Sequence, residues 1–322
     1  MPKLRAGTQR GSTLEAEHLV NSKALGVGVV IVLLLGAIAG WLVAASRGRA
    51  RDLLDPKGPV FTGPLPKPAG RPINRPSRDR FSVVSFNVHY GYASGDIAPT
   101  LRANGMADAD ILLLQESNEP TAREVGTALG LAYAYYPATV HPTSRDLFGV
   151  AILSRWPITA HRKILLPDHS YFDTARKTAM TAVVEIEGAP VQFVSVHLQS
   201  GMLGRGYSAQ LQSLLGCVTR NICEGEGAPM ALPRAGALVI GGDFNTWNSG
   251  LGDVLAAAMA GAGLEPVDGI LGTFSKSPDD TAGKHTFDYF FSTPGLRAGP
   301  GRVGRVRTGS DHYPIEAVFR IP

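Results

Sequence analysis

The chain has 322 residues, 44% hydrophobic and 18% charged, a composition that provides a sizeable core and excludes a disordered chain. Its net charge of +4 divides unevenly: residues 1–79 carry 12 Lys+Arg and 5 Asp+Glu (+7), which leaves 31 − 12 = 19 and 27 − 5 = 22 (−3) for residues 80–322. The larger part of the chain therefore lacks the positive charge that favours binding to DNA as a polyanion.

Residues 1–23 form a short tail, and residues 24–45 are 22 consecutive residues without a charged side chain. A helix of that length, at a rise of ~1.5 Å per residue, spans a ~30 Å hydrocarbon core, so the segment predicts a transmembrane helix. A cleaved signal peptide is the alternative, because Ala37 and Ala39 have the spacing of a cleavage site. The apolar run continues beyond them through residues 41–43, which favours a retained anchor.

Residues 46–79 contain seven prolines among Lys, Arg and Gly, which predicts a stiff, extended linker. Basic residues within 20 positions number four after the apolar segment and three before it, which tilts toward a cytoplasmic domain. A single N-terminal anchor followed by a stalk favours an extracytoplasmic domain instead, and we expect that arrangement. Cys217 and Cys223, the only cysteines, would form a disulfide in an oxidising compartment and remain thiols in a reducing one.

From residue 80 to 322 the pattern changes to short apolar runs that predict one domain. Runs rich in β-branched and aliphatic residues predict strands at 81–89, 110–115, 149–154, 179–186, 191–197, 238–240, 286–292 and 315–321. Helical spacing occurs at 97–107, 207–221 and 249–262, and residues 187–190 predict a hairpin turn. Because strands dominate with helices between them, we expect an α/β sandwich of two sheets packed face to face, with helices outside.

Polar side chains follow the predicted strands, where α/β sheets commonly build their sites. Taken singly, each has a structural explanation as a cap, a turn residue or a buried histidine with a partner. Together, carboxylate and amide oxygens with two imidazoles favour Mg²⁺ or Mn²⁺ over zinc, with phosphate and water completing the coordination shell. The set consists of Asn87, Glu116, His197, Asp243, Asn245, Asp288, Asp311 and His312.

These residues lie in the motifs SFNVHYG, LLLQE, VSVHL, VIGGDFN, HTFDYFF and GSDHYPI. In this order the motifs resemble the endonuclease/exonuclease/phosphatase superfamily, which includes deoxyribonuclease I, exonuclease III, neutral sphingomyelinases and inositol-polyphosphate 5-phosphatases. The resemblance covers residues 81–319. It implies a four-layer α/β sandwich, two packed β-sheets flanked by helices, and hydrolysis of phosphate esters that depends on a divalent metal.

The resemblance assigns metal binding to Glu116, assisted by Asn87 and Asp311. It assigns activation of the attacking water to Asp243, with Asn245 as its partner at the phosphate and the metal. The reaction that follows is in-line attack of the activated water on phosphorus.

The remaining roles concern the phosphate itself. The resemblance places His312 beside the scissile phosphate with its ring fixed by Asp288, and it places His197 at a phosphate-contacting or acid position. Arg176 matches a phosphate-binding arginine of some members, and Lys177 is the competing candidate.

The chain departs from the family pattern at His89, where apurinic endonucleases carry an aspartate, so we do not expect abasic-site repair. We expect nuclease-like hydrolysis of phosphodiester bonds, supported by the GDFN and SDH motifs and by Arg302, Arg305 and Arg307. Hydrolysis of a phospholipid headgroup or a small phosphate ester is the alternative, supported by the anchor and the net-negative domain. An inactive, membrane-tethered binding module is the third, and the complete polar set disfavours it. Specificity is expected to depend on the loops at 140–148 and 201–207.

Overall fold

The computed structural model describes residues 53, 55, 58–64, 79–91, 94–141, 146–167, 176–200, 206–223, 236–277 and 283–321. The predicted tail (1–23), transmembrane helix (24–45) and most of the linker (46–79) lie outside the described residues. So do residues 142–145 and 201–205 of the two loops expected to control specificity. No helix formed by the described residues has both the length and the apolar character needed to cross a bilayer.

Strands of the described residues form two sheets. The first contains β1 (Phe61–Gly63), β2 (Arg80–Asn87), β3 (Ile111–Ser117), β4 (Ala132–Val140), β5 (Leu147–Ser154), β12 (Arg297–Ala298), β13 (Arg302–Val303) and β14 (Ile315–Arg320). The second contains β6 (Ile158–Leu165), β7 (Thr178–Ile186), β8 (Ala189–His197), β9 (Ala237–Asp243), β10 (Glu265–Pro266) and β11 (Asp288–Ser292). Their spatial orders are β1-β4-β5-β3-β2-β14-β12, with β13 also paired to β14, and β10-β11-β9-β8-β7-β6.

The alternation of side chains along each strand separates the layers. In β2, Phe81 and Val83 point into the core between the two sheets, whereas Val84 and Phe86 point to the opposite face. That outer face packs against helices α1 (Ser94–Ala103) and α2 (Glu119–Leu129). The second sheet is covered in the same way by α3 (Tyr207–Arg220) and α4 (Ser249–Gly261). The predicted sandwich of two packed sheets is confirmed.

Among the described elements longer than three residues, α2, β4 and β6 were not predicted. Helix α2 carries clear end signals, since the Asn118 side chain accepts from the Thr121 backbone N–H at 2.9 Å and Gly130 follows with φ 72°. Strand β6 contains Arg162 and Lys163, both 1% exposed, whose charges disguise a buried strand. Helix α1 begins and ends earlier than the predicted 97–107.

The linker enters the fold earlier than its proline content predicts. Residues Phe61–Gly63 lie between two prolines and pair with β4 in antiparallel register, Phe61 opposite Tyr135. The Lys163 ammonium group also donates a hydrogen bond to the carbonyl oxygen of Leu53. These contacts join Leu53 and Phe61–Gly63 to strands of the domain.

A disulfide joins Cys217, near the end of α3, to Cys223 just beyond it. Asn221 ends the helix in the left-handed conformation, with φ 58°, which turns the chain back toward Cys217. Their Cα atoms lie 4.4 Å apart, within the range that a disulfide spans.

Candidate active site

Two parallel strand pairs bring the carboxyl ends of four strands to one edge of the sandwich. Strands β2 and β3 are parallel in the first sheet, and β8 and β9 are parallel in the second. Strand β11 runs antiparallel to β9, so that its first residue, Asp288, lies opposite the last residue of β9, Asp243. Residues that are distant in sequence therefore meet at this edge.

Side-chain alternation points these terminal residues into the space between the sheets. Asn87 follows Phe81, Val83 and Ser85 on the inner face of β2, and His197 follows Phe193 and Ser195 on that of β8. Asp243 follows Val239 on β9 in the same manner, and Asp288 precedes Phe290 on β11. All four residues are at most 2% exposed. The buried core thus ends in a layer of polar groups.

Glu116 reaches this layer through a β-bulge. By simple alternation it would share the outer face of β3 with Leu112 and Leu114. The register between β3 and β5 shifts between Leu114 and Ser117, and Glu116 adopts φ 53°. A bulge re-aims the side chain next to it, and here the Glu116 carboxylate turns toward Asn87 and His197.

The Asp243 carboxylate is the centre of the cluster. Its Oδ2 accepts a hydrogen bond from Asn87 Nδ2 at 3.0 Å and lies 3.6 Å from His197 Nε2 and 3.7 Å from His312 Nε2. Its Oδ1 accepts from the Asn245 backbone N–H at 2.9 Å. Gly242 makes this approach possible, because at φ 149° a Cβ would lie 2.0 Å from the Val196 carbonyl oxygen. Asp243 is therefore held within reach of both imidazoles.

His312 is fixed from both of its sides. Its Nδ1 lies 2.9 Å from Asp288 Oδ2, and its backbone N–H donates to Ser310 Oγ at 3.0 Å. Ser310 Oγ in turn donates to the carbonyl oxygen of Asn87 at 2.7 Å, which connects this loop to the end of β2. The Nε2 atom of His312 consequently faces Asp243 and the cleft.

Burial and neighbouring charges give the three central groups different protonation. Burial raises the pKa of Asp243 to about 7, although the nearby His312 opposes this shift. Burial alone would lower the pKa of His312, but the charges of Asp288 and Asp243 outweigh it and raise the pKa to about 10. Burial, together with the charges of Lys177 and His312, lowers the pKa of His197 well below its usual value. At neutral pH His312 is an imidazolium and His197 is neutral.

The donor set fits a divalent cation. Glu116 Oε2 is buried and has no hydrogen-bond partner among the described residues, so a ligand on this oxygen would satisfy it. Ligand atoms of Glu116, His197 and Asp243 lie within 4.8 Å of one another. The two carboxylates suit Mg²⁺ or Mn²⁺, which prefer oxygen ligands, and the His197 imidazole lies beside them. The Nδ2 atom of Asn87 donates to Glu116 Oε1 at 3.2 Å, so Asn87 orients this carboxylate.

Two predicted site residues do not join the ligand atoms that converge around Asp243. Asp311 pairs with His89, Oδ1 to Nδ1 at 2.9 Å, and belongs to neither group of converging ligand atoms. The hydrogen bond from Asp311 raises the pKa of His89, and burial opposes this shift. Arg176 makes no hydrogen bond or ion pair with any described residue, and together with Lys177 it lines a small cavity beside Leu53. Lys177 lies nearer, with Nζ 5.1 Å from the ring centroid of Phe148, which itself lies 5.9 Å from that of His197.

The arginine cluster of the sequence contributes mainly to structure. Arg302 Nε lies 2.5 Å from Glu316 Oε2, and its other nitrogens donate to the carbonyl oxygens of Asn104 and Gly105. Arg307 donates to three backbone carbonyl oxygens, those of Ser275, Ser277 and Ser310. Two of the three guanidinium groups are thus engaged within the fold, and the net-negative domain gains no basic patch from them.

Sequence analysis missed the aromatic residues around the two imidazoles. The ring of Phe274 lies 4.9 Å from that of His312, and Trp247 packs on the far side of Phe274. Trp247 follows Asn245 by two residues, which was the one available signal. Phe274 has no motif beside it, and only the isolated bridge between Phe274 and His312 brings the two together.

Comparisons with solved structures agree with this architecture. The fold is similar to an endonuclease/exonuclease/phosphatase from Beutenbergia cavernae DSM 12333 (TM-score 0.57, 19% identity, 76% of this chain and 72% of that chain). It is also similar to D. rerio TDP2 complexed with single strand DNA product (TM-score 0.56, 17% identity, 75% and 99%). A mannosyl-6-phosphatase from Bacteroides thetaiotaomicron VPI-5482 is similar to the same extent (TM-score 0.57, 16% identity, 74% and 99%).

In sequence, the chain matches a family model but no curated protein. The Endonuclease/Exonuclease/phosphatase family matches residues 84–312, well over half of the chain and nearly the whole of the described unit. The matched region runs from β2 to His312 and includes every residue of the polar cluster. The chain therefore belongs to the Endonuclease/Exonuclease/phosphatase family.

Proposed function

We propose that this protein is a hydrolase of phosphodiester bonds, nuclease-like in its reaction and dependent on Mg²⁺ or Mn²⁺. The observation that carries the proposal is the convergence of two imidazoles and one amide on Asp243 Oδ2, beside a Glu116 oxygen that has no partner among the described residues. Family membership supports phosphoester hydrolysis, and the geometry supports particular roles for the side chains.

Glu116 and Asp243 would hold the cation, which supplies electrostatic stabilisation of phosphate oxygens when bound. Asp243 accepts the proton of the attacking water, because its raised pKa makes it a competent base near neutral pH. The water oxygen forms the new bond to phosphorus, and the bond to the leaving oxygen breaks. His312, held protonated by Asp288, gives its proton to that leaving oxygen.

The other polar residues position the phosphate. Neutral His197 contacts it through a ring N–H and does not serve as the acid, since its lowered pKa leaves it uncharged. Asn245 donates its Nδ2 to the carbonyl oxygen of Leu198 at 2.9 Å, which fixes the amide beside Asp243. Lys177 is a better candidate than Arg176 for the cation that approaches the phosphate from the Phe148 side, because its charge lowers the pKa of His197 and its Nζ lies beside the Phe148 ring.

The proposal is tested with the full-length chain purified in detergent. Plasmid and single-stranded DNA are incubated with Mg²⁺, Mn²⁺ or EDTA, and we expect cleavage only with metal. Asp243→Asn should lower turnover by at least ~100-fold, because catalytic groups of this kind typically contribute 10²–10⁴-fold. Asp253→Asn on the exposed face of α4 is the matched control. Full activity of Asp243→Asn would refute the assignment.

A second candidate is a phospholipid headgroup or small phosphate ester. The predicted transmembrane helix at 24–45 favours a substrate in or near a membrane, and the similar mannosyl-6-phosphatase shows that the fold is used on a phosphorylated sugar. Release of phosphocholine from sphingomyelin vesicles, or of inorganic phosphate from sugar phosphates, distinguishes this candidate from a nuclease. No hydrolysis of any of these substrates, together with no metal-induced rise in Tm, would favour an inactive binding module.

We further propose that residues 24–45 anchor the protein in a membrane and that the domain lies outside the cytoplasm. The Cys217–Cys223 disulfide supports this location, since structural disulfides persist in oxidising compartments. In intact cells, added protease should cleave the domain, and thiol alkylation before reduction should leave both cysteines unlabelled. Protection from protease together with two labelled thiols would place the domain in the cytoplasm.

A further inference from the structure

Trp247 lies on the turn that leaves the candidate active site. Its backbone N–H donates to the carbonyl oxygen of Asn245 at 3.0 Å, and its indole ring packs on Phe287 and Phe274, with centroids 4.6 and 5.6 Å away. Phe274 continues the row to His312, centroid to centroid 4.9 Å. A continuous row of rings therefore connects Trp247 to the imidazole that faces Asp243.

This row is buried at its base and exposed at its outer end. Phe274 and Phe287 are 5% and 1% exposed, whereas Trp247 is half-buried and His285 is exposed. The indole Nε1 of Trp247 is buried and has no hydrogen-bond partner in the described part of the chain.

Lys276 brings a positive charge to the same place. Its Nζ lies 5.6 Å from the Trp247 ring centroid, and its side chain is exposed. It also lines a cavity of about 360 Å³ with His89, Ser310 and Asp311, next to the candidate active site. Across the described ranges Lys276 makes no ion pair or hydrogen bond beyond this ring contact. The ammonium group is thus available to an anion.

Arg307 holds Lys276 in position. Its guanidinium group donates to the carbonyl oxygens of Ser275 and Ser277, the residues on either side of Lys276. It also stacks on Tyr313, with 4.8 Å between the guanidinium carbon and the ring centroid. The position of Lys276 between the cavity and the indole is therefore set by the fold.

We propose that Trp247 and Lys276 form a nucleotide subsite, in which the indole stacks on a base and Lys276 binds the phosphate adjacent to the scissile one. This inference rests on the proposed function and names the substrate class of that site. Every base presents a flat face to an aromatic side chain, and a cation beside it binds the backbone. A quaternary ammonium group would also bind the face of the indole. The positive charge of Lys276 repels such a group, so the subsite selects a nucleotide over a choline headgroup.

The test measures binding without turnover. Fluorescence anisotropy in EDTA measures the affinity of the full-length chain for two labelled single strands of equal length. One strand is an oligothymidylate, and the other carries abasic residues. Trp247→Leu should weaken binding of the oligothymidylate by about 5- to 150-fold, since stacking contributes ~1–3 kcal/mol per base at ~1.4 kcal/mol per tenfold change. Binding of the abasic strand should change less than about twofold, and Trp247→Phe should keep most of the affinity.

Lys276 has its own matched variants. Lys276→Gln should weaken the binding of both strands, because one phosphate contact is lost. The slope of log affinity against log salt should fall in magnitude by about 1 for the same reason. Lys276→Arg should restore both values, and Lys284→Gln at the neighbouring exposed lysine should change neither. These surface substitutions test the proposal even if Trp247→Leu lowers stability.

Equal affinity of the two strands for the unaltered protein, or equal weakening of both by Trp247→Leu, would overturn the inference. Release of p-nitrophenolate from bis(p-nitrophenyl) phosphate with Mn²⁺ separates this failure from that of the proposed function, because this compound is a phosphodiester without a base. Hydrolysis without base-selective binding would support the proposed function and refute the subsite. Base-selective binding that depends on Trp247, without hydrolysis of any substrate, would support the subsite and refute the proposed function.

Discussion

Replacing Asp288 by asparagine removes the charge that keeps His312 protonated while preserving the shape of the side chain. The two residues are 2.9 Å apart, Oδ2 to Nδ1, and both are almost completely buried. The charges of Asp288 and Asp243 raise the pKa of His312 from 6.5 to about 10 against the effect of burial. Without Asp288, burial remains and part of the opposing attraction is lost, so the pKa of His312 must fall.

The consequence is a change in the pH dependence of kcat/KM. Activity requires Asp243 ionised and His312 protonated, so it should rise as the pH passes about 7 and fall as the pH passes about 10. A bound cation attracts the charged carboxylate, so the acidic limb at saturating metal should lie at or below about 7. In Asp288→Asn the alkaline limb should move to lower pH, and activity near pH 8 should fall by about 10²–10⁴-fold, the usual contribution of a general acid.

The assay is cleavage of a labelled oligonucleotide at saturating Mg²⁺ between pH 5 and 9.5, because Mn²⁺ and Mg²⁺ precipitate as hydroxides at higher pH. The Tm of each variant is measured in the same buffers, so that unfolding is distinguished from a change in protonation. Asp253→Asn, an exposed carboxylate on α4, controls for the lost charge. An alkaline limb at the same pH in Asp288→Asn, with activity within threefold of the unaltered protein, would refute the role given to His312.

Three other perturbations have defined outcomes. Glu116→Gln should abolish the rise in Tm that Mn²⁺ gives the unaltered protein, because it removes a carboxylate from the cation site; an unchanged rise would place the metal elsewhere. Burial lowers the pKa of Lys163 from 10.5 to about 8, so the unfolded state binds more protons between these values and stability rises with pH there. Between pH 7.5 and 9.5, urea unfolding should show the free energy of unfolding of the unaltered protein rising by about 2 kcal/mol relative to that of Lys163→Met. An equal difference between the two proteins at both pH values would contradict the buried charge. Gly242→Ala should lower the free energy of unfolding by at least ~2 kcal/mol, since its Cβ would meet the Val196 carbonyl oxygen. Gly252→Ala, where nothing lies within 4 Å of the new Cβ, should lose none.

The sequence predicted the sandwich and the strand ends of the site because both follow from short-range patterns. Asn87, His197 and Asp243 end apolar runs whose alternation fixes the face on which each lies, and parallel pairing then brings them together. Hydrophobic runs identify buried strands well when no charge interrupts them. Strand β6 was missed for the opposite reason, since Arg162 and Lys163 are buried in it.

The features that the sequence did not predict depend on tertiary geometry. The direction of Glu116 comes from a bulge in β3, and the resemblance to the family indicated its role without indicating how the chain turns it. The pairing of Asp311 with His89 joins residues 222 positions apart, which no local pattern reveals. Likewise, the linker residues Phe61–Gly63 were assigned by their proline neighbours, whereas pairing with β4 decides their conformation.

The most direct test of the account is to locate the metal. A crystal soaked with Mn²⁺ should show one strong anomalous peak within roughly 2.3 Å of Glu116 Oε2 and of an Asp243 oxygen, given the usual metal–oxygen distances for these ions. Such a peak would satisfy the one buried carboxylate oxygen of the cluster that has no partner among the described residues. A fully occupied Mn²⁺ bound elsewhere, or no peak at a saturating concentration, would contradict a metal-dependent phosphoesterase built on Asp243 and Glu116.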